Sequence, residues 1–289
     1  MAVRVGEAHG EGIISARRGS AGLQNGVYLP YPLQSGKFSS VDFYAGTLLI
    51  VKTSLIQTRT FLAWSVHLFT ATGAVWGFLA LRAVFAHQWK PAILWMLIAM
   101  IVDGADGFLA RWADVKTYAR ALDGALLDNL LDYLNYAVVP ALFLVEADLL
   151  PPALALHAAV AILIASAYQF TQVDAKTDST DEYFFKGFPD YWNVVAIYML
   201  ILGLNPWINF AFIAFFTVMV FVPIKYVYPT RASRLRILTL VLSYLYGALG
   251  VVGVILYPDV PMWIVYASFV YVAYYVGLSL WPRPRVQPK

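Results

Sequence analysis

The chain has 289 residues, 61% of them hydrophobic, and a mean hydropathy of +0.67. Only 13% are charged, where a soluble domain carries roughly 25%, so a soluble enzyme is excluded. With no cysteine, disulfides, zinc–thiolate sites, iron–sulfur clusters and a Cys nucleophile are ruled out, and a net charge of +3 makes no case for nucleic acid as a partner.

Residues 1–40 are rich in Gly, Ser and Arg without an apolar core. They read as a polar arm, neither a signal peptide nor a packed domain. In residues 41–58 the apolar Phe43, Tyr44, Leu48, Leu49, Ile50 and Leu55 mix with Lys52, which suits a helix lying in the membrane interface. Residues 59–282 read as one membrane domain and 283–289 as a basic tail. The expected fold is an all-α, polytopic membrane helical bundle. Its eight hydrophobic helices fall at about 61–86, 91–113, 124–146, 152–172, 189–204, 206–228, 235–256 and 260–281, punctuated by Pro91, Pro151, Pro152, Pro189, Pro206, Pro229, Pro258 and Pro261. The four His are scattered without ligand spacing and read as structural. Gly247, Gly250 and Gly253 read as helix packing rather than a nucleotide loop.

An even number of spans puts both termini on one side, and the distribution of Lys and Arg says which. Eighteen of the 20 basic residues fall with the termini and with the 113–124, 172–189 and 228–235 loops, and only Arg82 and Lys90 fall opposite. Those loops and both termini are therefore expected to be cytoplasmic.

Four acids interrupt otherwise apolar helices at that face. Asp103, Asp106, Gly107 and Ala110 stand at i, i+3, i+4 and i+7, and Gly124, Asp128 and Asp132 at i, i+4 and i+8, so each set lies on one helical stripe. The short connection makes the two helices antiparallel neighbours, and the stripes can face each other. Insertion scales put roughly 10–14 kcal/mol on four uncompensated mid-span acids, less near the boundary. Divalent cations with oxygen ligands, Mg²⁺ or Mn²⁺, are the economical remedy. The small residues clear the helix surface for a phosphorylated ligand.

The run Asp103-x-x-Asp106-Gly107-x-x-Ala110-Arg111, then Gly124-x-x-x-Asp128-x-x-x-Asp132, resembles the signature of the CDP-alcohol phosphotransferases and matches it at every position. Three further features are most similar to the branch whose bacterial members make phosphatidylcholine. They are the 12 residues between Arg111 and Gly124, the eight spans, and the segment from Tyr183 to Asn193. The resemblance implies transfer of the phosphatidyl group from CDP-diacylglycerol to an alcohol, choline in that branch, with release of CMP. It implies two divalent ions, Mn²⁺ or Mg²⁺, at a metal site of Asp103, Asp106, Asp128 and Asp132. Asp128 would be shared between the ions and Asp132 would be the general base. Asp103, Gly107, Ala110, Arg111 and Gly124 would bind the CDP moiety. A bacterial inner membrane with the site on its cytoplasmic face, membrane phospholipid around it and a homodimer complete what is implied.

A quaternary ammonium cannot donate hydrogen bonds from nitrogen and is recognised by aromatic faces and carboxylates. Candidates are Tyr133, Tyr136, Tyr168, Tyr183, Tyr191 and Trp192, with Glu182 as counter-charge. Lys116, Arg120, Arg231 and Arg234 are candidates for lipid phosphate, and Arg236 continues that basic run. Serine, inositol or glycerol 3-phosphate remain alternative alcohols for the same chemistry. A proton- or cation-coupled transporter is the rival class, since acids inside helices also mark ion pathways. It accounts for the acids but not for two motifs that bracket one cytoplasmic loop.

Overall fold

A computed structural model describes the backbone of residues 40–172, 176–179, 182–229 and 235–281, with side chains outside 40–53 and 176–183. The expected N-terminal arm and basic tail, the side chains of Glu182 and Tyr183, and Arg231 and Arg234 lie outside the described residues. Two compact units divide between Val51 and Lys52. What is described of the first is helical backbone, and the second is the bundle.

Helix α1 is Ser40–Phe85, and its end matches the helix expected at 61–86. No proline stands between Pro32 and Pro91, and nothing else in that stretch forces a stop. Then follow α2 (Trp89–Trp112), the single turn α3 (Val115–Tyr118) and α4 (Gly124–Asp132). A π turn over Tyr133–Val138 leads directly into α5 (Val139–Glu146). The later helices are α6 (Pro152–Thr171), α7 (Trp192–Leu202), α8 (Pro206–Phe221), α9 (Arg236–Leu256) and α10 (Met262–Leu280).

Five of these are long and apolar enough to cross a membrane: α1 from Ser54, α2, α6, α9 and α10. The segment 124–146 is helical throughout but passes through the π turn. Helices α7 and α8, at 11 and 16 residues, are shorter than the ~20 residues a perpendicular crossing needs. The five spans are only 17–39% buried at mean hydropathies of 1.5–2.0. Surface that apolar belongs against lipid, and the protein is a polytopic helical membrane protein.

Lipid offers no hydrophobic drive for helices to associate, so contact must come from close packing. The core reflects this: Ala80, Ala83, Ala92, Ala137, Ala141, Ala158, Ala165 and Ala196 bring backbones together, and Trp192, Phe143, Ile93 and Met96 fill the spaces between.

Two prolines reshape helices that periodicity alone leaves straight. Val222 is extended (ψ 121) because Pro223 follows it, so α8 stops at Phe221 rather than running to 228. The chain then forms β3 (Lys225–Val227), which pairs antiparallel with β2 (Glu182–Lys186) and, through it, with β1 (Lys176–Ser179). This small sheet is an addition to the expected all-α bundle. It is tied to α10 by the Val227 N–H donating to Ser279 Oγ at 3.1 Å, and to α6 by Gln169 Nε2 donating to Lys186 O at 2.7 Å. Pro140 acts inside the third predicted helix, where it stands four residues after Tyr136. The Val139 N–H bonds Leu134 O, five residues back, and closes the π turn.

Candidate active site

The connection between the acid-bearing helices is built rather than slack. Helix α2 closes with the Ala113 N–H on Leu109 O at 2.9 Å, and Asp114 takes a left-handed conformation (φ 47) that redirects the chain. Ala113, Val115 and Ala119 then pack on Ala63 and Val66 of α1, and the Arg59 guanidinium lies 5.7 Å over the Tyr118 ring. Asp123 ends the connection by capping α4, its Oδ1 accepting from the N–H groups of Ala125 (3.0 Å) and Leu126 (3.1 Å). The 12-residue spacer is thus a docked turn that fixes where α4 begins.

With α4 so placed, the two stripes meet. Asp103, Asp128 and Asp132, each half-buried, bring one carboxylate oxygen apiece within 4.8 Å of the others. Asp106, 8% exposed, joins them in a cleft whose remaining walls are Thr70, Gly73, Ala99, Val102, Leu131, Asn135 and Tyr136. The Thr70 side chain hydrogen-bonds Asp106, and the Tyr136 hydroxyl donates to Asp103 Oδ2 at 2.6 Å. Among the described residues no Lys or Arg lines this cleft. An all-carboxylate set of hard oxygen ligands, without His or Cys, fits a divalent cation of the Mg²⁺, Mn²⁺ or Ca²⁺ kind.

The other motif residues divide. Gly104 faces open space, and a Cβ on Gly107 would come 3.4 Å from Arg111 Nη1. Gly124 has a tight neighbour inside the protein, because a Cβ there would stand 3.0 Å from Cε1 of the buried His67. Its missing side chain therefore has a packing reason beside any ligand. Arg111, Lys116 and Arg120 are exposed, and Ala110 is half-buried.

Of the aromatic candidates, the fold brings two to the acids. Tyr136 touches Asp103, and the Tyr191 ring lies 6.5 Å from Tyr136, close enough to Asp103 and Asp132 to interact electrostatically. Three others are held elsewhere. Tyr133 packs edge-on against Phe170 and donates to Leu163 O at 3.2 Å. Tyr168 lies on the outer face of α6 against Phe221. Trp192 is fully buried, with its Nε1 between Ser166 Oγ (2.9 Å) and Asp190 Oδ1 (2.8 Å). Tyr228 and Tyr271, beside Tyr191, were not singled out by sequence. The available signal was Tyr271, Tyr274 and Tyr275 at i, i+3 and i+4 in a membrane helix.

Residues 59–224 match the model of the CDP-alcohol phosphatidyltransferase family. The phosphatidylcholine synthase of Legionella pneumophila is 40% identical over 238 residues, covering 80% of this chain and 92% of that protein. That of Legionella bozemanae is 38% identical, covering 71% and 96%, and that of Pseudomonas aeruginosa 35% identical, covering 81% and 98%. With the acidic cleft on apolar helices and a family match across more than half its length, the chain belongs to the CDP-alcohol phosphatidyltransferase family and is a membrane phosphatidyltransferase.

Proposed function

We propose that the protein makes phosphatidylcholine from CDP-diacylglycerol and choline, with CMP as the second product. The observation that carries the reading is the convergence of Asp103, Asp128 and Asp132 within 4.8 Å, with Asp106 in the same cleft. Asp103, Asp106 and Asp128 would hold two divalent ions, Mn²⁺ or Mg²⁺. Such ions, when bound, neutralise the pyrophosphate and the charge that develops on the leaving CMP.

The protein's own groups do the rest. Asp132 accepts the proton of the choline hydroxyl as its oxygen bonds to the phosphorus bearing diacylglycerol. The bond from that phosphorus to the bridging oxygen breaks, and CMP leaves with the electron pair. The face of Gly107 and Ala110 leaves room for the nucleotide, and Arg111, always charged, orients phosphate or acid rather than moving a proton. Lys116 and Arg120, exposed beside this end of α2, suit lipid phosphate.

Choline is favoured over phosphorylated alcohols by the wall around the acids. The ring of Tyr136 in the cleft wall, with the Tyr191 ring 6.5 Å from it, suits a quaternary ammonium, and among the described residues the cleft has no cation for an anionic alcohol. The charge distribution supports a site on the cytoplasmic face of a bacterial inner membrane, with both termini on that side, and the mixed composition of residues 41–58 supports an interfacial helix there. A homodimer is part of the same reading.

Purified protein with Mn²⁺ and labelled CDP-diacylglycerol, supplied separately with choline, serine, inositol and glycerol 3-phosphate, tests the choice of alcohol. Product is expected from choline. Product from serine but not from choline would assign a different alcohol to the same site.

A further inference from the structure

The irregularity in the acid-bearing helix begins immediately after Asp132. Pro140 has no N–H to give the carbonyl of Tyr136, and its ring crowds that carbonyl. The π turn over Tyr133–Val138 absorbs the conflict. Side-chain direction changes with it. At about 3.6 residues per turn, a step of four residues along an α-helix overshoots a full turn. The stripe Gly124, Asp128, Asp132 therefore drifts around the axis, and a residue at 136 would drift further. In a turn closed by i→i+5 bonds the same step falls short of a full turn, and Tyr136 swings back toward the face that carries the acids.

The π turn is also where the bundle is tied together. Tyr133 donates to Leu163 O of α6 at 3.2 Å, Asn135 Nδ2 to Gly73 O of α1 at 3.1 Å, and Tyr136 to Asp103 Oδ2 of α2 at 2.6 Å. Asn135 enters α1 where glycine leaves room, since a Cβ on Gly77 would lie 2.6 Å from its Oδ1. Two of the three donors bond to backbone. The third, Tyr136, 8% exposed, bonds to a carboxylate of the acid cluster.

We propose that Tyr136 is a positioning residue for the cation site. Its hydroxyl holds Oδ2 of Asp103 and so fixes the carboxylate that stands within 4.8 Å of Asp128 and Asp132, and the π turn is what delivers it. This rests on the reading that the acid cluster holds divalent ions. It goes beyond that reading by giving the cluster an outer partner, of the kind whose loss weakens metal binding about 10–100-fold elsewhere.

The test uses the full chain in lipid nanodiscs with Mn²⁺ alone as the probe. Free Mn²⁺ is measured by electron paramagnetic resonance, and the shift in unfolding temperature on adding Mn²⁺ is measured for each variant against its own metal-free value. Tyr136→Phe should raise the Mn²⁺ Kd about 10-fold or more and shrink the Mn²⁺-induced shift. With saturating Mn²⁺ its kcat should recover. Tyr133→Phe, which removes a different bond of the same π turn, should leave the Mn²⁺ Kd at the wild-type value. Should Tyr136→Phe not accumulate, Tyr136→Leu also lacks the donor and should raise the Mn²⁺ Kd in the same way. Wild-type Mn²⁺ affinity in the Tyr136 variant, with Asp103→Ala weakened, overturns the positioning role alone. Indifference of Mn²⁺ binding to Asp103→Ala and Asp128→Ala overturns the cation site and the positioning role together.

Discussion

Two regions of this bundle carry polar groups inside apolar helices, and they resolve the conflict differently. Along the seam between α9 and α10, the hydroxyls pair among themselves: Thr239 with Tyr274 at 2.7 Å, Ser243 with Tyr271 at 2.8 Å, and Ser268 with Tyr198 of α7 at 2.7 Å. Each hydroxyl both donates and accepts, so the set can close on itself without help. The facing stripes of α2 and α4 present carboxylates, which when ionised only accept. Three of them within 4.8 Å cannot compensate one another. Polarity in a membrane helix therefore does not by itself mark a site, whereas like charge brought together there calls for a ligand.

The largest expected effect lies at the acids. Asp132→Asn keeps the shape and removes the proposed proton acceptor, so CMP release from CDP-diacylglycerol should fall by about 10²–10⁴-fold. Asp128→Asn should be equally severe, because it removes one of the three clustered carboxylates proposed to hold the ions. Both proteins should still accumulate and unfold at or above the wild-type temperature, since a mutual repulsion has been relieved. Initial rates of CMP formation alongside thermal unfolding in detergent check this. Wild-type turnover in either variant would leave the cleft without a catalytic role. Chelation should silence the wild-type enzyme as completely, and Mn²⁺ or Mg²⁺ should restore it, whereas an ion-independent reaction would break the contrast with the seam.

What could be read from the sequence follows the range of the interactions. The acid stripes depend only on spacing within one helix, and the short connection between them lets them face each other. Tyr168 and Trp192 show the limit. Both qualified as candidates by residue type alone, yet the buried stripe of α6 runs through Ala155, Ala158, Ala159, Ile162, Ala165, Ser166 and Gln169, which turns Tyr168 outward, and Trp192 is the largest fully buried side chain among the described residues. The neighbourhood of Tyr191 and Tyr271 joins residues 80 positions apart, and no local pattern encodes it. Pro140 and Pro223 were visible but their effects were not, since a proline can kink, stop or widen a helix according to what packs around it.

A smaller effect is expected at Gly124, and it separates two reasons for the same glycine. Gly124→Ala places a methyl 3.0 Å from His67 Cε1, so activity should fall several-fold with a loss of about 1 kcal/mol in stability, within the range of overpacking. His67→Ala in the same chain opens the space and should return most of both. Unfolding temperature and the KM for CDP-diacylglycerol, measured on the two single variants and the double variant, decide the matter. A double variant as poor as Gly124→Ala, with the loss all in KM, would give the glycine to the nucleotide instead.

The smallest effect belongs to the seam. Tyr274→Phe removes the oxygen that meets Thr239 at 2.7 Å, and side-chain hydrogen bonds between membrane helices average only about 0.6 kcal/mol, with a maximum near 1.7. The freed Thr239 hydroxyl can turn back onto a carbonyl of its own helix, as Ser243 does onto Thr239 O at 2.7 Å, which keeps the loss near the lower figure. The variant should unfold within a few degrees of wild type and release CMP at the full rate. If kcat instead dropped about 100-fold at unchanged stability, the hydroxyls of α9 and α10 would be acting on the reaction through Tyr271 and Tyr191. The seam would then be a wall of the cleft rather than a self-satisfied joint between helices.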